Sequence, residues 1–210
     1  MLTSSVFGGY KFYRRFLKPI KTVQNIPSSY FHKKKMLGKV TSVGDGDNFH
    51  FYHTPGGILG GWHWLRKTPQ TNQKGLRSET LHVRLCGVDA PERSHFGKPA
   101  QPYSDEALGW LRSFILGKRV RVKPLALDQY GRVVGKATVW TLFGRKNVSL
   151  EMIKNGVGIV YEGKSSAEFD GDEMIFRENE RRAKKARKGL WASKRKLQTP
   201  GEFKKQHRDS

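Results

Sequence analysis

Cysteine is all but missing from this chain. The single copy, Cys86, lies inside the apolar run "LHVRLCGV", so no intrachain disulfide can form and no thiolate cluster can hold a metal. Such a position suits a small core hydrophobe. Acidic side chains are also scarce, and the first 44 residues contain none, while "YKFYRRFLKPIK" sets Arg and Lys among aromatics. That bias belongs to a mitochondrial targeting segment, to a polybasic stretch beside a membrane, or to a basic solvated arm. No apolar run approaches the ~20 residues of a spanning helix, and only ten residues precede Lys11. No internal repeat appears.

What is present in excess is positive charge. Among 210 residues, 40 Lys and Arg stand against 18 Asp and Glu, for a net charge of +22 and a pI of about 10.3. Positive potential must cover much of the surface whatever the fold, and the natural partner is a polyanion. Nucleic acid, an anionic membrane face and an acidic protein all qualify, and composition does not rank them. The length favours one globular domain with extensions, on a prior of one domain per ~150 residues.

Residues 1–35 read as the basic N-terminal arm, either a targeting segment or the remnant of a membrane anchor. From Met36 the pattern becomes regular. "MLGKVTSV" and "NFHFYH" alternate as strands joined at "GDGD", where Asp-Gly supplies the positive φ angles of a tight hairpin. Residues 54–80, rich in Gly, Pro, Thr and Gln, read as a loop insertion. Within it, Trp62 and Trp64 could stack on bases, lie at a membrane interface, or cover the open end of a barrel, and the last is favoured.

"LHVRLCGV" resumes as a buried strand. "PYSDEALGWLRSFILGK" reads as a helix with Ser104 as its cap and Gly117 at its end. "KRVRVKPLAL" and "RVVGKATVW" form a second strand pair around "DQYG". Short and long helices follow, around "SLEMIKN" and over 172–188. Five short strands with one helix between the third and fourth fit an α+β protein. Its expected core is an OB-fold, a five-stranded Greek-key β-barrel with about three helices, rather than a sandwich or a parallel sheet. This domain is expected to span 36–195, with a basic tail at 196–210. Residues 181–210 carry 12 Lys or Arg against two acids, a run that raises the local concentration of a polyanion without sequence preference.

Three motifs place acids and guanidinium groups at strand ends or turns: "GDGD" (Asp45, Asp47), "RLCGVDAPE" (Arg84, Asp89, Glu92) and "DQYGR" (Asp128, Tyr130, Arg132). Each alone has an ordinary explanation as a turn, a loop or a surface cation. Together they suit phosphodiester chemistry. Hard carboxylate oxygens such as those of Asp47 and Asp89 favour Ca²⁺ or Mg²⁺ over a soft metal. Two guanidinium groups can fork onto one phosphate, and a nearby glutamate can orient or deprotonate water. Pro91 stiffens the turn that presents Asp89 and Glu92. His50, His53 and His63 lack the spacing of a zinc site and read as ordinary surface or loop histidines.

In order, these motifs resemble the staphylococcal (thermonuclease-like) nuclease family, whose pattern runs D-G-D, R-L-x-x-(V/I)-D-x-P-E and D-x-Y-G-R, then a helix leading to a tryptophan, here Trp191. The resemblance spans about residues 36–195. It implies an OB-fold barrel, Ca²⁺ dependence and hydrolysis of DNA or RNA. Arg84, Glu92 and Arg132 then take the catalytic positions, Asp47 and Asp89 the metal positions, and Tyr130 a place beside the substrate phosphate. Asp45 shapes the turn or stands behind the ligands.

"VGDGDNFHFYHTPGG", "AQPYSDEAL" and "VYEGK" are similar to a fungal branch of membrane-associated, mitochondrial nucleases that carries the same insertion. That likeness implies a mitochondrial location with membrane association through the N-terminal region, and a monomer is expected. Asn48 and Ala90 replace threonines of the bacterial pattern, and Ala90 is harmless if only its carbonyl serves the metal. Two other classes stand against the nuclease reading: a catalytically silent OB-fold module that binds nucleic acid, and a basic protein of the membrane surface.

Overall fold

A computed structural model of the chain describes residues 8–11, 13, 17–94, 99–163, 169–192 and 198–206. Its framework begins with β1 (Met36–Asp45) and β2 (Asn48–His53), which pair antiparallel from Gly38↔His53 to Asp45↔Asn48. Alternation sends Phe49 and Phe51 of β2 inward, and a register shift between Val40 and Ser42 lets β1 turn both Val40 and Val43 inward; all four are buried. The "GDGD" turn therefore sits at one end of this hairpin and the insertion leaves from the other. Gly46 is required at the turn, because a Cβ there would lie 2.6 Å from the Cβ of Ala90.

β3 (Leu81–Leu85) pairs antiparallel with β2, setting Asn48 opposite Arg84. β5 (Arg119–Leu127) pairs with β1, and β6 (Val133–Thr141) with β5. A parallel pairing of β3 with β6, Val83↔Val133 to Leu85↔Gly135, closes the five strands into a barrel. Closure leaves none of the five as a free edge, which is how small antiparallel sheets of this kind satisfy their backbones. β7 (Gly144–Asn147) extends β6, and a separate pair joins β4 (Val88–Asp89) to β8 (Ile159–Val160). The α+β barrel expected from the strand pattern is the one observed. Pro124 falls beside an irregularity in the β5–β6 register, where the missing N–H does least harm.

Helix α1 (Ser104–Ile115) buries Ala107, Leu108, Leu111 and Ile115 against the barrel. Ser104 does not cap it. Tyr103 precedes the helix in the left-handed region (φ 69°), and Ser104 is a buried first residue whose N–H donates to the carbonyl of Gln101 at 3.2 Å. The helix grows out of a turn begun at Gln101, so a serine cap has no role there. α2 (Val148–Lys154) does have a side-chain cap, with Asn147 accepting from the Leu150 amide. α3 (Glu173–Lys185) is held at its start by ion pairs from Lys136 to Asp170 and Asp172 and from Lys123 to Asp170. Its Phe176 packs edge-on against Phe169 over Gly87, where a Cβ would come within 2.7 Å of Phe169. Cys86 is buried, and burial pushes its thiol up to about 12, the inert state of a core cysteine.

Two stretches outside the barrel join it. Within 1–35, Val23 and Ile26 enter the core, and the Ile20 amide donates to Nδ1 of His53 at 3.0 Å. Burial pushes the His53 imidazole down to about 4, which keeps it the neutral acceptor that this bond needs. Within 196–210, α4 (Pro200–Gln206) buries Phe203.

In the insertion, Trp62 is buried edge-on against Tyr52, capped by the guanidinium of Arg66 at 3.9 Å. Trp64 is instead exposed. Among the described residues, no helix is long and apolar enough to cross a membrane.

Candidate active site

The β2–β3 register carries Asp47 and Arg84 to the same place, and the turn after β3 returns Asp89 to it. Arg84, 6% exposed, lies with Nε 3.4 Å from Asp47 Oδ2 and Nη2 3.4 Å from Asp89 Oδ1. Asp47 and Asp89 are themselves buried. The ring of Tyr161, just past β8, covers the guanidinium at 4.6 Å. Burial works against this cation, yet Asp47 and then Asp89 outweigh it and raise its pKa above the ordinary arginine value.

Two carboxylates thus surround one guanidinium, and a third acid stands at the neighbouring turn. Burial, and then Asp47, push the Asp45 carboxyl up to about 6, with Glu92 acting in the same direction. Asp45 also accepts the Gly46 amide at 2.8 Å, so it shapes the turn. Glu92 follows β4 and is half-buried. Its N–H donates to Gln101 Oε1 at 3.1 Å and its carbonyl accepts the Gln101 N–H at 2.8 Å.

The third motif lies on the turn between β5 and β6. Asp128 accepts the amides of Tyr130 and Arg132, both at 2.9 Å, and Arg132 Nε at 2.6 Å. Those bonds overcome burial and hold Asp128 below the usual carboxylate range. Arg132 is thereby fixed on the turn, 5.4 Å over the ring of exposed Tyr130. Its ion pair is with Asp128, while the pairs from Asp47 and Asp89 go to Arg84. Closure of β3 against β6 sets this turn beside the cluster, and the imidazole of His82 feels Arg132, Asp128 and Asp47 together.

Four residues carry more of the site than their sequence context suggested. Asn48 stands where the bacterial pattern has threonine; its Nδ2 donates to Asp47 Oδ1 at 3.2 Å and its Oδ1 lies 3.2 Å from His82 Nε2. His82 stacks on His50 at 4.6 Å, and burial pushes it down to about 4. Asn48 thus orients Asp47 through a chain that ends in a neutral histidine. Tyr161 and Gln101 are the other two. Both fall in stretches that were similar to the fungal branch, "VYEGK" and "AQPYSDEAL", and that likeness was their sole signal.

Asp47 and Asp89 offer hard oxygen donors at an acid-rich point, which fits a divalent cation of the Ca²⁺ class. Among the described residues, no group of three or more His, Cys, Asp or Glu is gathered as a metal cage.

A barrel of this topology, with an arginine between two carboxylates and a second arginine on the adjacent turn, defines a nuclease of the staphylococcal type. The family described as staphylococcal nuclease homologue matches residues 82–193, and the chain belongs to it. Over 205 residues it is 57% identical to a "Probable endonuclease LCL3" of Komagataella phaffii, covering 97% of this chain and 90% of that one. A Yarrowia lipolytica protein of the same name is 54% identical over 205 residues, covering 98% and 91%. A third, from Candida albicans, is 57% identical over 207 residues, covering 98% and 88%.

Arg84→Met leaves two carboxylates buried without their cation and is expected to cost ~3–5 kcal/mol in urea unfolding. Arg132→Met should cost only ~1 kcal/mol, since Asp128 keeps two backbone donors. Equal losses would contradict the asymmetry described here.

Proposed function

We propose that the chain is a Ca²⁺-dependent, sequence-nonspecific endonuclease that hydrolyses phosphodiester bonds of DNA or RNA, with its catalytic domain at 36–195. Nuclease activity itself follows from the family. The observation that carries the finer reading is the convergence of Asp47 and Asp89 on Arg84, one turn before Glu92.

Asp47 and Asp89 would hold Ca²⁺, which when bound polarises a phosphoryl oxygen and offsets its charge. Glu92 orients a water and takes its proton as the water oxygen attacks phosphorus. Arg84 and Arg132 donate to the phosphoryl oxygens and stabilise the added charge of the transition state, after which the P–O bond opposite the attacking oxygen breaks. Tyr130 sits beside the phosphate. Sequence indifference is supported by the +22 net charge, which acts on backbone phosphates and carries no base information.

Cleavage of plasmid DNA, single-stranded DNA and RNA with Ca²⁺, Mg²⁺ or EGTA tests this reading. Activity should require Ca²⁺ and fall ~10²–10⁴-fold in Glu92→Gln and Arg132→Ala. Tight binding with no cutting under any metal would instead support the silent OB-fold module.

The same proposal places this monomer at a mitochondrial membrane through its N-terminal region. An apolar surface next to that region supports it. Ile58, Leu59, Trp64 and Leu65 are 56%, 97%, 72% and 72% exposed. Trp64 Nε1 donates to the Ile58 carbonyl at 2.9 Å, and Arg66 Nη1 donates to the Leu17 carbonyl at 3.0 Å, which ties the loop to the arm. Indole and aliphatic groups on a loop tied at Leu17 to an arm that carries exposed Lys11 and Lys18 suit an anionic interface. The full chain should float with anionic vesicles and lose most of that binding in a Leu59→Ser, Trp64→Ser double variant. Flotation unaffected by the double variant would remove the loop from the account.

A further inference from the structure

We propose that Gln101 is the positioning residue for Glu92, and that the C-terminal segment 198–206 is the strut that holds Gln101 in place. The proposal rests on the reading of Glu92 as the residue that handles water. It gives a stretch that reads as a basic tail a part in positioning the site.

Gln101 is 3% exposed, so its amide must find partners within the protein. It spans two parts of the chain that sequence keeps far apart. Its Oε1 accepts the Glu92 N–H at 3.1 Å, while its own N–H donates to the Glu92 carbonyl at 2.8 Å. Residues 92 and 101 are thus zipped together by two hydrogen bonds. Gln101 is fixed in turn because its carbonyl accepts the Ser104 amide at the start of α1. Nε2 of Gln101 then donates to the Gln198 carbonyl at 2.5 Å.

The segment that receives this bond is itself built to stay. Thr199 and Glu202 form a reciprocal cap, with the Thr199 N–H on Glu202 Oε2 at 2.9 Å and the Glu202 N–H on Thr199 Oγ1 at 3.2 Å. Phe203 is buried one residue further on. Thr199, Gly201 and Glu202 also face Asp89, Ile159 and Tyr161 across a cleft of about 420 Å³. The segment therefore meets the site twice, as the partner of Gln101 and as the wall opposite Asp89.

A carboxylate that must orient one water gains from a backbone fixed at both its N–H and its carbonyl. Losing the Gln101 side chain removes one anchor of the Glu92 backbone, its N–H acceptor, without touching Arg84, Arg132 or the basic surface. The loss should appear in kcat and leave KM alone.

The test uses the full chain as wild type, Gln101→Leu, Gln101→Glu and Phe203→Ser, the last of which keeps every cation of the tail. For each, kcat, KM, Tm and amide exchange at Glu92 are measured. Gln101→Leu and Phe203→Ser should lose about tenfold to hundredfold in kcat with KM nearly unchanged, and the Glu92 amide should exchange faster. Gln101→Glu keeps the acceptor for Glu92 and loses the donor to Gln198, so its kcat should fall between wild type and Gln101→Leu. An unchanged kcat in folded Gln101→Leu, or a rise in KM alone, would overturn the proposal. If the wild type cleaves nothing, the nuclease reading fails separately. Amide exchange then still decides the strut: equal protection of Glu92 in wild type, Gln101→Leu and Phe203→Ser overturns it.

Discussion

The rest of this structure depends on the guanidinium of Arg84, held between Asp47 and Asp89 out of solvent. Burying three charges costs several kcal/mol per ion, and a single cation between two anions does not cancel them. Asp45, at the neighbouring turn, is pushed up to about 6 chiefly by burial, with Asp47 and Glu92 adding to the push. A fold assembled for stability alone would fill this place with apolar side chains. The barrel instead spends two strand pairings, Asn48↔Arg84 and Arg84↔Val134, on bringing the charges together. An acid-rich pocket with one cation short is a natural receptor for a divalent ion.

The rest of the molecule has the opposite sign. A surface with a net charge of +22 draws in a polyanion, and a pocket of excess carboxylate would repel it at the last step. Under the proposed mechanism, bound Ca²⁺ resolves this conflict by turning the pocket into a phosphate site. Arg132 on its turn and Arg84 beneath Tyr161 then approach from the protein side. On that mechanism, charge distribution links the barrel to its substrate.

Much of this was legible in the sequence because local rules dominate there. Asp-Gly makes the β1–β2 turn, alternation buries Phe49 and Phe51, and apolar spacing sets the inner face of α1. Residue types at strand ends, with the family resemblance of the three motifs, pointed to Asp47, Arg84, Asp89, Glu92 and Arg132, of which the fold brings Asp47, Arg84 and Asp89 into contact. What was not legible arises from contacts between distant segments. No local pattern announces that β3 pairs parallel with β6, or that the two-residue strands β4 and β8 meet. Ser104 looked like a helix cap because its neighbours are acidic, and the turn at Gln101 that displaces it is invisible in the spacing. Trp62 and Trp64 share one context, yet one is buried against Tyr52 and the other points to solvent. The charge run at the end of the chain hid Phe203, a single apolar anchor among cations.

The central claim, that Asp47 and Asp89 form the seat of a divalent cation, can be tested without any cleavage assay. Thermal unfolding would be followed against Ca²⁺ concentration in the wild type, Asp47→Asn, Asp89→Asn and Glu92→Gln. A ligand that binds only the folded state raises Tm with its concentration. The account predicts that rise in the wild type and in Glu92→Gln, and its loss in both aspartate variants. The same rise in all four proteins, or none in the wild type, would contradict it.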